Sequence, residues 1–88
     1  MSSPNTLKVL FFARLRDDLD TNEESLVLPE GVTTVGQLKA FLCQRGEQWQ
    51  QALSTQGLFV AVEQKVVDWD TPLQGFEEVA FFPPVTGG

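Results

Sequence analysis

Residues 7–13, LKVLFFA, carry apolar side chains at a period of two within a run of β-formers, which predicts a strand. Alternation puts Leu7, Val9, Phe11 and Ala13 on one face of it and Lys8, Leu10 and Phe12 on the other. The next stretch, RLRDDLDTNEE, is polar and turn-rich and predicts one short helical turn. SLVLPEG reads as a second short strand stopped by Pro29 and Gly31. The period then changes. In TVGQLKAFLCQRG, Val35, Leu38, Phe41, Leu42 and Arg45 fall along one side of a helix. Thr33 or Thr34 suits its N-cap, and Gly46 suits its end after about Arg45. EQWQQAL predicts a further helical turn or two, with Trp49 and Leu53 facing the core at i, i+4. GLFVAVEQKVV reads as strand, turn and strand, with Val60 and Val62 alternating against Phe59 and Ala61. DWDTPLQGFEE is a loop, and EVAFFP is a last strand. In that strand Val79 and Phe81 oppose Ala80 and Phe82.

Strand, strand, long helix, strand, short strand, strand describes two hairpin-like pairs flanking one main helix. This is an α+β pattern, with the helix covering one face of a mixed sheet. The β-grasp, or ubiquitin-like, fold has that order and places its first and last strands side by side at the centre of the sheet. The expected organisation is a disordered start over residues 1–6, a single domain over 7–82 and an extended tail over 83–88. With Val9, Phe11, Val79 and Phe81 turned to the helix, Phe12 and Phe82 point away from it. Two phenylalanines on the open face of neighbouring strands make an apolar patch of the kind that marks a partner site. Phe59 and Val66 extend it.

Composition narrows the chemistry. Eighty-eight residues make one domain with one modest core. No apolar run approaches the roughly 18–20 residues that cross a bilayer, so no membrane association is expected. MSSPNT has no basic segment followed by an apolar one, so no secretory signal is expected. The single cysteine, Cys43, calls for no oxidising compartment, which makes the cytoplasm the expected location. A net charge of −6 argues against nucleic-acid binding, which needs a basic surface to replace counterions. Such a charge either attracts a basic protein surface or only maintains solubility. The absence of histidine excludes imidazole-based triads and imidazole metal ligands, and no metal site is expected. The acidic pairs Asp17/Asp18, Glu23/Glu24 and Glu77/Glu78 read as solvated turn charges. Cys43 falls off the apolar helical stripe and reads as a small filler on the helix flank.

The remaining candidate is the end of the chain, PPVTGG. Pro83 and Pro84 stop the last strand and force an extended exit. Val85 and Thr86 favour extended backbone, and Gly87 and Gly88 can thread a slot too narrow for a Cβ. Six extended residues span roughly 20 Å, enough to reach another protein's active site. The reactive group would be the Gly88 α-carboxylate, which must be activated before it can carry cargo.

KVLFFARLR near the start, VAV in the third strand and PLQGFEEVAFFPPVTGG at the end together resemble the ubiquitin-like sulfur-carrier family, in particular the small subunits of molybdopterin synthase. The resemblance spans residues 7–88 and is most specific in EVAFFPPVTGG. It implies a subunit that is not catalytic on its own and binds no cofactor. An ATP-dependent activating enzyme adenylates Gly88, and sulfur displaces AMP to leave a C-terminal thiocarboxylate. The tail, Pro83 to Gly87, then threads the large catalytic subunit within a heterotetramer. There the thiocarboxylate gives its sulfur to cyclic pyranopterin monophosphate in molybdenum cofactor biosynthesis. The family's partner-facing residues fall on Phe12, Val66 and Phe82. A ubiquitin-like protein modifier or a thiamine-pathway sulfur carrier would use the same diglycine tail. Two departures stand out: Glu63 occupies a turn position where Asn is common, and Phe76 one where a polar residue is common.

Overall fold

The computed structural model describes residues 6–54, 56–75 and 77–84. Five strands and three helices follow in the order β1 (Thr6–Phe11), α1 (Arg14–Leu19), β2 (Glu23–Val27), α2 (Val35–Cys43), α3 (Glu47–Leu53), β3 (Phe59–Val62), β4 (Lys65–Val66) and β5 (Glu78–Phe82). The sheet order is β2-β1-β5-β3-β4. Strands β1 and β5 run parallel at the centre, with Val9 opposite Val79 and Phe11 opposite Phe81. Every other pairing is antiparallel. This mixed sheet with helices on one face is the β-grasp arrangement that the sequence order predicts.

The inward residues of the strands meet the inward residues of the helices in one core. Leu7, Val9, Phe11, Val60, Val79 and Phe81 supply the sheet side, and Val35, Leu38, Leu42 and Leu53 the helix side. Phe11 stacks against Phe81 at 6.0 Å and meets the edge of Trp49 at 5.5 Å. Burying such rings removes large apolar areas from water and is the main source of stability in a chain this short.

Thr34 caps α2 with a reciprocal box. Its hydroxyl accepts from the Gln37 amide, and the Gln37 side-chain oxygen accepts from the backbone of both Thr33 and Thr34. The loop before β5 is tied to this helix start, because Val35 N–H donates to Thr71 O and Gly36 N–H to Trp69 O. A Cβ on Gly36 would stand 3.1 Å from that Trp69 oxygen, so the close approach favours a glycine.

Several boundaries differ from the sequence expectation. Strand β1 begins at Thr6 and ends at Phe11, so Ala13 is not part of its inward face. Ala13 is exposed at φ 57°, in a turn closed by Leu15 N–H to Phe12 O. The segment expected to hold one helical turn forms α1, and its Leu15 and Leu19 join the core. Strand β2 starts at Glu23, two residues earlier than expected, so Glu23 and Glu24 lie in a strand and not in a turn. Helix α2 stops at Cys43, and Gly46 serves as N-cap of α3. Arg45 therefore leaves the apolar stripe and pairs with Glu24 across the molecule, with Nη1 2.7 Å from Oε1.

Candidate functional site

The face of the sheet away from the helices holds the residues that the alternation singled out. Phe82 lies directly across from Phe59, and their rings stack at 5.5 Å. Val66 lies across from Ala61, which lies across from Ala80, which lies across from Leu10. Ala61 and Ala80 thus form a low floor between larger side chains, and both are covered. Phe12 is 47% exposed, Phe59 43% and Val66 65%, while Phe82 is half-buried. Phe12 follows the end of β1 and is held beside β5 by its N–H to Phe81 O, 3.2 Å. The Phe12–Leu15 turn, with Ala13 at a positive φ of 57°, redirects the chain immediately after Phe12. Exposed aromatic surface of this kind is costly in water unless a partner covers it. Alternation also places Leu10, Ala61 and Ala80 on this face, where the alanines are too small to signal a surface by themselves.

The β3–β4 hairpin closes one end of the face with a two-residue loop, since Val62 pairs with Lys65. Glu63 and Gln64 have φ of 53° and 70°, the signature of a type I′ turn, for which Asn and Gly are the favoured residues. Glu63 adopts it all the same and offsets the cost through β5. Its N–H donates to Glu78 O at 2.9 Å, and its carboxylate accepts from Glu78 N–H at 2.6 Å. Glu77 likewise uses its carboxylate to accept from the Gln74 amide. These carboxylates cap backbone and are not placed for acid–base chemistry.

The tail starts where this face ends. Phe82 is both the last residue of β5 and a member of the patch, and Pro83 follows it directly. Pro83 and Pro84 are half-buried and outside regular structure, so the root of the tail is partly packed against the domain. Pro84 lies against Gly57, in the loop between α3 and β3. A groove of about 290 Å³ opens beside it between Gly57, Phe59, Val66 and Trp69. Val85, Thr86, Gly87 and Gly88 lie outside the described residues, as does Phe76.

A second groove, of about 420 Å³, lies on the helix side between α2, α3 and Trp69. Cys43 lines it half-buried against the core, and the Lys39 ammonium sits 4.9 Å from the Trp69 ring centre. It is lined by other residues than the aromatic patch. Among the described residues no group of three or more His, Cys, Asp and Glu side chains could hold a metal ion. No helix among them is long and apolar enough to cross a membrane.

A family model described as the ThiS family matches residues 9–88. The chain belongs to that family. A molybdopterin synthase sulfur carrier subunit of Escherichia coli (strain K12) is 40% identical over 82 residues, covering 93% of this chain and 99% of the relative. Among solved structures, a molybdopterin converting factor subunit 1 of Pyrococcus furiosus superposes with a TM-score of 0.76 at 31% identity, covering 91% of this chain and 98% of that one. A chain from a complex of subunits 1 and 2 of molybdopterin-converting factor from Helicobacter pylori shares the fold, with a TM-score of 0.65 at 23% identity over 94% and 99% of the two chains. The Escherichia coli relative, which this chain matches over nearly its whole length, is a sulfur carrier subunit, and the Pyrococcus furiosus structure shares the fold read from the strand order.

Proposed function

We propose that this chain is the sulfur carrier of molybdopterin synthase. It brings sulfur to the cyclic pyranopterin monophosphate precursor as a thiocarboxylate on Gly88, and it has no catalytic groups of its own. The observation that carries the reading is the continuity of patch and tail: β5 ends in the aromatic patch at Phe82, and the tail begins at the next residue. A partner that covers Phe12, Phe59, Val66 and Phe82 therefore receives the tail in a fixed orientation. Docking and delivery become one event, and the entropy of aligning the reacting carboxylate is met by binding at the patch. The large subunit of the synthase and an adenylating enzyme are the two partners, and both read this face.

The chemistry takes place at the chain end. A Gly88 carboxylate oxygen attacks the α-phosphorus of ATP and releases pyrophosphate. A sulfur nucleophile then adds to the acyl carbon and expels AMP, leaving the thiocarboxylate. No cofactor needs to stay bound, because the carried atom is covalently attached. The patch is shared, so the two partners compete for it and the carrier exchanges between them. ATP-dependent activation and a lone unpaired thiol both suit the cytoplasm.

The test is an intact-mass measurement after incubation with the adenylating enzyme, ATP and a sulfur donor. The expected result is one oxygen exchanged for sulfur, mapped to Gly88. An unchanged carboxylate, under conditions that load a known carrier, would sink the proposal, and lysine-linked adducts in its place would identify a protein modifier.

A further inference from the structure

We infer that Gly57 is a positioning residue for the carrier tail: its bare Cα is the seat for the Pro84 ring, and that seat sets the direction in which the tail leaves the sheet. The inference deepens the carrier reading above and rests on it for its kinetic consequence.

Gly57 sits in the α3–β3 loop with φ +81°, a conformation that favours glycine. A second constraint is independent of φ. A Cβ on Gly57 would stand 3.3 Å from Pro84 Cγ, 3.7 Å from its Cβ and 3.9 Å from its Cδ. With three atoms of one ring within 4 Å of that point, the ring packs over the bare glycine and would have to give by a few tenths of an ångström to admit a Cβ, and both prolines are half-buried there. Proline fixes its own φ, so a ring held on that seat leaves ψ as the main freedom at that link. Gly88 is four residues beyond Pro84, a reach of at most about 13 Å, so moving the ring moves the whole space that the carboxylate can reach. Such misplacement lowers the rate of a positioned reaction while leaving affinity at a separate patch intact. The loop is also tied to that patch, because Phe59 begins β3 two residues after Gly57 and stacks on Phe82.

The two constraints on Gly57 can be separated. Asparagine tolerates positive φ, so Gly57→Asn preserves the turn and adds only the Cβ beneath the ring. Pro84→Ala removes Cγ and Cδ from the other side of the contact and leaves the turn untouched. Both variants and the double variant are assayed for thiocarboxylate formation by the adenylating enzyme, with kcat and KM for the carrier measured separately. Each single change should lower kcat by about tenfold, with KM within about twofold of wild type. The double variant should be no worse than either single one, because both break one contact. A wild-type kcat in Gly57→Asn, or single effects that multiply in the double variant, would overturn the inference. A purely structural glycine would instead lower the thermal midpoint and leave Pro84→Ala unaffected. The isolated protein supplies a readout free of the function: a nuclear Overhauser contact between Gly57 Hα and Pro84 Hγ, present in wild type and lost in Gly57→Asn. Its absence in wild type would remove the seat. A wild-type chain that shows the contact but is never loaded with sulfur would sink the carrier reading and leave the seat standing.

Discussion

Phe81 and Phe82 are neighbours in β5 with identical side chains, and the pleat sends them to opposite faces of one sheet. Phe81 is fully buried, stacked on Phe11 at 6.0 Å and on Trp69 at 6.1 Å. Phe82 stacks on Phe59, on the face of the sheet away from the described helices. The end of β1 repeats the contrast, with Phe11 buried and Phe12, the residue after the strand, nearly half exposed. A strand with one solvated side normally alternates apolar with polar residues. Here the polar side is aromatic at one end of the two central strands, so the sequence encodes two apolar surfaces. One is used in folding, and the other is the surface that the proposed docking would use.

That division is tested hardest at Phe81. Phe81→Ala should cost about 3–5 kcal/mol, through lost burial plus an unfilled cavity among Phe11, Trp69 and the helices. A domain of this size has roughly 5–15 kcal/mol in total, so the variant should unfold at much lower denaturant concentration. Urea denaturation at neutral pH measures this directly. A loss below about 1 kcal/mol would mean that the two faces have been interchanged.

Phe82→Ala should invert the outcome. Its ring lies outside the core, so the stability loss should stay near the 0.5–1.5 kcal/mol or so expected for a stacked aromatic pair. Its affinity for the large subunit should fall by about 2 kcal/mol or more, as for a central aromatic contact in an interface. Phe12→Ala should behave alike with a smaller stability change, since Phe12 is the more exposed. Calorimetric titration against the large subunit checks both. Unchanged affinity in a folded double variant would remove the patch from the docking surface.

The two faces were legible in the sequence because alternation is a local signal. Once Val79 and Phe81 are assigned inward, Ala80 and Phe82 follow, and the cross-strand partners follow from the topology. The capping box at Thr34 was legible for the same reason, since its partner Gln37 is three residues away. The misses have another character. Leu15 and Leu19 have the i, i+4 spacing of a buried stripe, but the charged residues among them dominated the reading. Arg45 was assigned to the core stripe, whereas its actual partner is 21 positions away in sequence. The Pro84 seat on Gly57 joins segments 27 residues apart, and no local pattern announces it. Contacts between loops depend on how elements dock, so sequence periodicity carries little of them.

The smallest effect concerns the helix-covered face at its edge. Glu24 is paired with Val9 in the sheet and so faces inward, where Arg45 grips its carboxylate with two hydrogen bonds. The Arg45 guanidinium also lies 4.7 Å from the Trp49 ring centre, and Trp49 meets Phe11, so the ion pair closes the rim of the core. Hydrogen bonding from Arg45, with its charge adding to the effect, holds the Glu24 carboxyl below the ordinary value of 4.5. A folded-state pKa below the unfolded one stabilises the protein at pH above the unfolded value, and the contribution is lost as pH falls through the folded value. Glu24→Gln should therefore cost on the order of 1 kcal/mol at neutral pH, the range for a bidentate pair at a partly solvated site. The difference between wild type and variant should shrink as pH drops below the ordinary glutamate range. Denaturation curves over a pH series would show this, and a difference that widens in acid would rule out the pair as its source. Affinity for the large subunit should not follow the change, because Glu24 stands on the opposite face from Phe82. If it did follow, the two surfaces would be coupled through β1 and the division of labour between them would fail.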